Sequence, residues 1–84
     1  MTRSANRERL LEFLQTIRRP EKPLDDFRDG DNLVGAGLID SLAVLEIILF
    51  LEAEFRIDFS STGVDPSQLM TIPAILDLIE RAGR

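Results

Sequence analysis

Eighty-four residues, 44% of them apolar, with a net charge of −5, allow one small hydrophobic core and leave little room for an enzyme cleft. The absence of Cys and His excludes disulfides and thiolate chemistry, and removes the commonest general base and metal ligand. The acidic balance argues against nucleic acid or an anionic membrane as partner and favours proteins with basic surfaces.

No apolar run approaches the roughly 20 residues needed to cross a bilayer, and the N-terminal residues lack the apolar stretch of a signal peptide. The expectation is therefore one domain spanning 1–84, monomeric and cytoplasmic, without membrane insertion.

From Ser4 to Arg19 the pattern is helical. Leu10, Phe13, Leu14 and Ile17 fall on one face, with Leu11 at its margin, while Arg7, Glu8, Arg9, Glu12 and Arg18 take the other. Ser4 is the expected cap, and Pro20 ends the helix because the residue before a proline avoids the α region. Residues 20–39 then read as a long connection carrying Pro20, Pro23, Gly30, Gly35 and Gly37. Leu24, Phe27, Leu33, Val34, Leu38 and Ile39 recur through it and are expected to pin it across the helix ends. Asp25, Asp26, Asp29 and Asp31 suggest calcium, but setting Gly30 at the sixth position of a calcium loop puts Phe27 third and Ala36 twelfth, without the bidentate acid. No metal site is assigned.

The next helix is expected from Ser41 to Arg56. Only Glu46, Glu52, Glu54 and Arg56 are polar between Leu42 and Arg56. Val44, Leu45, Ile47, Ile48, Leu51 and Phe55 form a broad core arc at 100° per residue, and Leu42, Glu46, Leu49 and Ala53 form a second stripe, with Glu52 at its edge. Asp40 is the expected N-cap, since its carboxylate can accept from an amide of the first turn. Ser41 then lies at the positive end of the helix, where an attached phosphate is favoured. Ser60-Ser61-Thr62-Gly63 reads as a turn-rich loop. Asp65-Pro66 signals a short helix through Leu69, and Thr71-Ile72-Pro73 opens a last helix whose core residues are Ile72, Ile75, Leu76 and Ile79, with Gly83 just beyond its end. Strand patterns and internal repeats are absent from the sequence. The fold class is all-α: a small four-helix bundle of three longer helices and one short helix, with a long first loop.

The run Gly37-Leu38-Ile39-Asp40-Ser41-Leu42, followed by Ala43-Val44-Leu45-Glu46, resembles the phosphopantetheine attachment motif of acyl carrier proteins. Length, acidity and helix order agree with that resemblance over the whole chain. It implies that Ser41 carries a covalent 4′-phosphopantetheine arm, transferred from coenzyme A by a separate phosphopantetheinyl transferase using magnesium. It further implies that Asp40 assists that enzyme and its metal ion, and that Leu42 completes the motif. The arm's thiol would hold acyl groups as thioesters for fatty-acid, polyketide or related biosynthesis. The protein itself would be a non-catalytic carrier. Partners, namely the transferase and the acyl-loading and acyl-using enzymes, would read Leu42, Glu46, Leu49, Glu52 and Ala53 through basic docking surfaces. The sequence departs from the fatty-acid carriers in having Ala43, not an acid, after Asp40-Ser41-Leu42, and it lacks the Gly-Gly-His-Ser kind of motif common in peptidyl carriers. Two alternatives stay open: an aminoacyl or peptidyl type of carrier, and a small acidic helical interaction module in which Ser41 is only part of a helix cap.

Overall fold

A computed structural model describes residues 3–23, 27–28 and 30–82. The described residues are helical, without a strand: α1 (Arg3–Ile17), α2 (Ala43–Phe55), α3 (Phe59–Thr62), a 3₁₀ turn (Pro66–Leu69) and α4 (Ile72–Ala82). The helical order anticipated from periodicity is present, with changes at the joints. Asp25, Asp26, Asp29, Leu24 and the expected helix stop at Gly83 lie outside the described residues.

Helix α1 buries Leu10 and Leu14, with Leu11, Phe13 and Ile17 half-buried beside them. Asn6 is buried on the same face, which hydropathy alone did not anticipate. Ser4 lies inside α1 and is not its cap, because helical geometry is already present at Arg3. Arg3 instead ties α1 to α4, through 2.9 Å contacts to Asp77 and Glu80 and a 3.3 Å bond donated to the Pro73 carbonyl. Both ion pairs are exposed to solvent, which screens them, so they add little to stability. At the other end, α1 stops at Ile17, two residues before the expected Arg19. The Arg18 guanidinium folds back to donate to the Gln15 side chain and to the carbonyls of Arg19 and Lys22, which closes the chain into the first loop.

That loop has its own hydrogen bonds. Asn32 Oδ1 accepts from the amides of Val34 and Gly35, and the Leu33 carbonyl accepts from both Leu38 and Ile39. The loop is fastened outward by Arg19 N–H to the Leu38 carbonyl (2.8 Å) and Leu33 N–H to the Met70 carbonyl (2.6 Å). Leu33, Leu38 and Ile39 are fully or nearly fully buried, and Phe27 and Val34 half-buried, so apolar pinning of the long connection is observed for these residues.

Helix α2 buries Val44, Ile47 and Leu51 against the core, with Ile48 and Phe55 half-buried. Leu45, expected in that core arc, is exposed: α1 and the 3₁₀ turn, which pack on α2, leave this side of it uncovered. Phe50 stacks on Phe13 of α1 (centroids 4.2 Å apart, planes 7° apart) and receives Phe55 edge-on at 5.9 Å. Arg9 and Glu54 pair across the same two helices at 3.0 Å. The C-cap of α2 is Arg56 at φ 56° and ψ 43°, the left-handed conformation that costs a residue with a Cβ roughly 1–2 kcal/mol relative to right-handed helix.

Between Phe59 and Thr62 the expected loop is one helical turn. Asp58 caps it by accepting from the Ser60 amide (3.1 Å) and hydroxyl, and Gly63 closes it by donating to the Phe59 carbonyl. The expected short helix at 66–69 is a 3₁₀ turn with a reciprocal cap: Asp65 accepts from the Ser67 amide and Gln68 Oε1 accepts from the Asp65 amide. Helix α4 starts where Thr71 Oγ1 accepts from Ala74 N–H (3.2 Å), and it buries Ile72, Ile75, Leu76 and Ile79 as expected, with Leu78 added.

Candidate functional site

The segment Gly37–Val44 alternates between core and solvent. Gly37 turns the chain at φ 83°, a conformation natural to glycine, and its Cα faces the Lys22 stem so closely that an added Cβ would sit 3.4 Å from Lys22 Cε. Leu38 and Ile39 then enter the core. Asp40, Ser41 and Leu42 emerge from it, and Ala43 and Val44 return. A triplet held out between two buried pairs presents its side chains on a fixed base.

Asp40 caps the turn that opens α2 and not α2 itself, whose N-cap position is Leu42 with no side-chain cap bond. Asp40 Oδ1 accepts from Ala43 N–H at 3.0 Å, and the Asp40 carbonyl accepts from the same amide at 3.1 Å. Two further tight turns follow, Val44 N–H to the Ser41 carbonyl (3.3 Å) and Leu45 N–H to the Leu42 carbonyl (3.1 Å). The bonds of the first turn thus run i to i+3, and the regular α-helix begins at Ala43 instead of Ser41. Leu42 already has helical angles (φ −71°, ψ −30°). Ser41 is therefore an exposed hydroxyl on the opening turn of a helix.

Beyond it the exposed face of α2 continues. Leu42, Leu45 and Leu49 are 74%, 61% and 64% accessible, and they are the exposed large apolar side chains among the described residues. Glu46 and Ala53 are exposed on the same side. Glu52 differs: it is half-buried, and its Oε2 accepts from the Phe59 amide at 3.4 Å, so it braces the link to α3 at the edge of the stripe. Periodicity anticipated Leu42, Glu46, Leu49 and Ala53 on one side. It did not anticipate Leu45, because an apolar residue on an apolar helix carries no mark of which neighbour will be absent. Asn32, which shapes the loop behind the triplet, was also passed over, although Asn followed by Gly three residues on is a readable turn signal.

Among the described residues no group of three or more acidic, His or Cys side chains could hold a metal ion, and no helix is long and apolar enough to cross a membrane. No family model, curated protein or solved structure matches the chain.

Proposed function

We propose that the protein is an acyl carrier protein that bears 4′-phosphopantetheine on Ser41 and presents its cargo to separate enzymes without catalysing a reaction itself. The observation that carries this reading is the exposed Asp40-Ser41-Leu42 triplet, fixed between buried pairs at the opening of α2. When attached, the arm supplies the thiol that the chain lacks. The chain's own part is to hold the Ser41 hydroxyl in solvent, to keep the backbone beneath it rigid through the Asp40–Ala43 bond, and to favour an attached phosphate by the field of the helix start.

The stripe of Leu42, Leu45, Glu46, Leu49 and Ala53 serves as the docking surface for the phosphopantetheinyl transferase and the loading enzymes. A tether is useful only where docking matches its reach, and this surface begins one residue from the attachment point. Ala43, where fatty-acid carriers have an acid, is buried and unavailable to partners. The docking face is accordingly more leucine-rich than acidic, which favours a specialised acyl or polyketide carrier over a central fatty-acid one.

The test is intact-mass measurement after incubation with coenzyme A, magnesium and a broad-specificity phosphopantetheinyl transferase. Gain of one arm supports the carrier. An unmodified mass, with a control carrier fully converted in the same reaction, would favour the interaction-module reading, in which Ser41 is only part of a cap.

A further inference from the structure

The first loop frames a cavity of about 270 Å³, below the ~300–1,000 Å³ of sites for drug-sized ligands, so its size suits a small head group and not a long chain. Its walls are tied down by hydrogen bonds. Lys22 N–H donates to the Arg19 carbonyl (3.0 Å), Ala36 N–H to the Asn32 carbonyl (2.7 Å) and Asp31 N–H to the Arg28 carbonyl (2.9 Å). In return, Asp31 Oδ2 accepts from the Arg28 amide (3.1 Å), which leaves Oδ1 to offer. Phe27 and Leu38 give the cavity apolar lining, and Glu21, Lys22 and Asp31 give it charge.

Those charges do little for the fold. None of the three is in an ion pair among the described residues, and Glu21 and Lys22 are exposed. Two carboxylates against one ammonium make the cavity net negative, on a chain that is itself at −5. Position relates the cavity to Ser41. The Lys22 stem lies against Gly37, and Ser41 follows four residues later, at most ~14 Å of extended chain, which an extended phosphopantetheine arm spans.

We propose that this cavity holds the head of a small aminoacyl cargo. The cargo's ammonium lies between Asp31 and Glu21, its carbonyl accepts from the Lys22 ammonium, and its apolar part meets Phe27 and Leu38. A neutral acyl group leaves both carboxylates unmatched, and a cargo ending in a carboxylate meets a net like charge. Delivery of the group on Ser41 rests on the carrier reading. The match between an ammonium and the cavity does not.

The experiment follows backbone amide NMR signals of the full chain during titration with leucinamide, which has the ammonium and carbonyl of a leucyl cargo. Isocaproamide, the same molecule without the amine, is the control. Leucinamide should shift the amides of Lys22, Phe27, Asp31, Ala36 and Leu38, and isocaproamide should not. Asp31→Asn, which keeps an oxygen for the Arg28 amide, and Glu21→Gln should each weaken leucinamide binding by up to about fivefold at low salt, the upper end for exposed charge pairs, and by less at high salt. Glu8→Gln, which removes an acid outside the cavity, should change nothing. Delivery is tested by having the transferase load a pantetheine arm that ends in an amine, acylated with leucyl or isocaproyl as a stable amide. The leucyl arm should shift the same amides, and the isocaproyl arm should not. Equal shifts from leucinamide and isocaproamide, no shift from either, unchanged affinity in both cavity variants, or an equal loss in Glu8→Gln would overturn the ammonium site. A leucyl arm that moves these amides no more than the isocaproyl arm would overturn the cargo assignment. Shifts from leucinamide in a chain that accepts no arm would keep the site and remove the carrier reading.

Discussion

At the scale of single residues, two backbone devices frame α2 and they differ in energetic sign. Asp40 stabilises the opening turn through its bond to the Ala43 amide. Asp40→Ala should lower unfolding free energy by about 1 kcal/mol, a typical cost for a lost N-cap, and denaturant titration would reveal it. Ser41→Ala should leave stability nearly unchanged, because the hydroxyl is exposed and the cap remains. Arg56 works against the fold. Arg56→Gly should be at least as stable as wild type, whereas Arg56→Val should lose on the order of 1 kcal/mol or more, since a β-branched residue tolerates positive φ poorly. A melting series in which Val is the most stable of the three would show that this conformation carries no strain. Capping bonds were legible at Asp40 and Asp65, where a short acid precedes a helical pattern, and not at Thr71, whose hydroxyl was not read as a cap. The left-handed state of Arg56 was not legible, because nothing in the residue type announces it.

At the scale of elements, α2 has a buried face and an exposed one, and the proposed docking rests on the second. Ile47 is fully buried and Leu45 is mostly exposed, although the sequence presents both as members of one apolar arc. Ile47→Ala should destabilise by roughly 2–5 kcal/mol through lost burial and the cavity left behind, while Leu45→Ala should stay within about 0.5 kcal/mol of wild type. Equal losses at the two positions would place Leu45 in the core and remove it from the docking face. Partner kinetics should divide the face in a second way. Glu46→Lys should slow arm transfer strongly at low salt and little at high salt, because a screened attraction is lost. Leu49→Ala should slow it nearly equally at both. An unchanged rate in both variants would locate docking elsewhere. Helix order and most core positions were readable from 3.6-residue spacing. The joints were readable only in part: Asp65-Pro66 announced the short element at 66–69 but not its 3₁₀ form, and the turn at 59–62, set by the side-chain bonds of Asp58, was not anticipated by periodicity.

At the scale of the whole molecule, the excess of acids over bases, 15 to 10, makes self-repulsion a term in stability. Moderate salt should therefore raise the melting temperature. A flat or falling dependence would show that repulsion is not limiting. The acid side of the stability profile follows from the caps of the two short turns. Asp58 is held below its ordinary pKa of 3.8 first by the Ser60 hydroxyl, and Asp65 below the same value first by the Ser67 amide. Because both folded-state values are depressed, their contribution is present in full above the unfolded value near 3.8. It is lost as pH falls from there through the lower folded values. Asp58→Asn and Asp65→Asn should accordingly flatten the loss of stability below pH ~4 and leave its shape near neutrality unaltered. All of these properties would belong equally to a bare helical scaffold, and the proposed carrier function turns on one atom, the Ser41 hydroxyl oxygen. The most direct measurement is fragment-resolved mass spectrometry of the full chain after reaction with coenzyme A, magnesium and the transferase. The carrier account expects the entire added mass on Ser41 and an unmodified Ser41→Ala chain. An arm on Ser60, Ser61 or Ser67, or no arm on any residue, would contradict it.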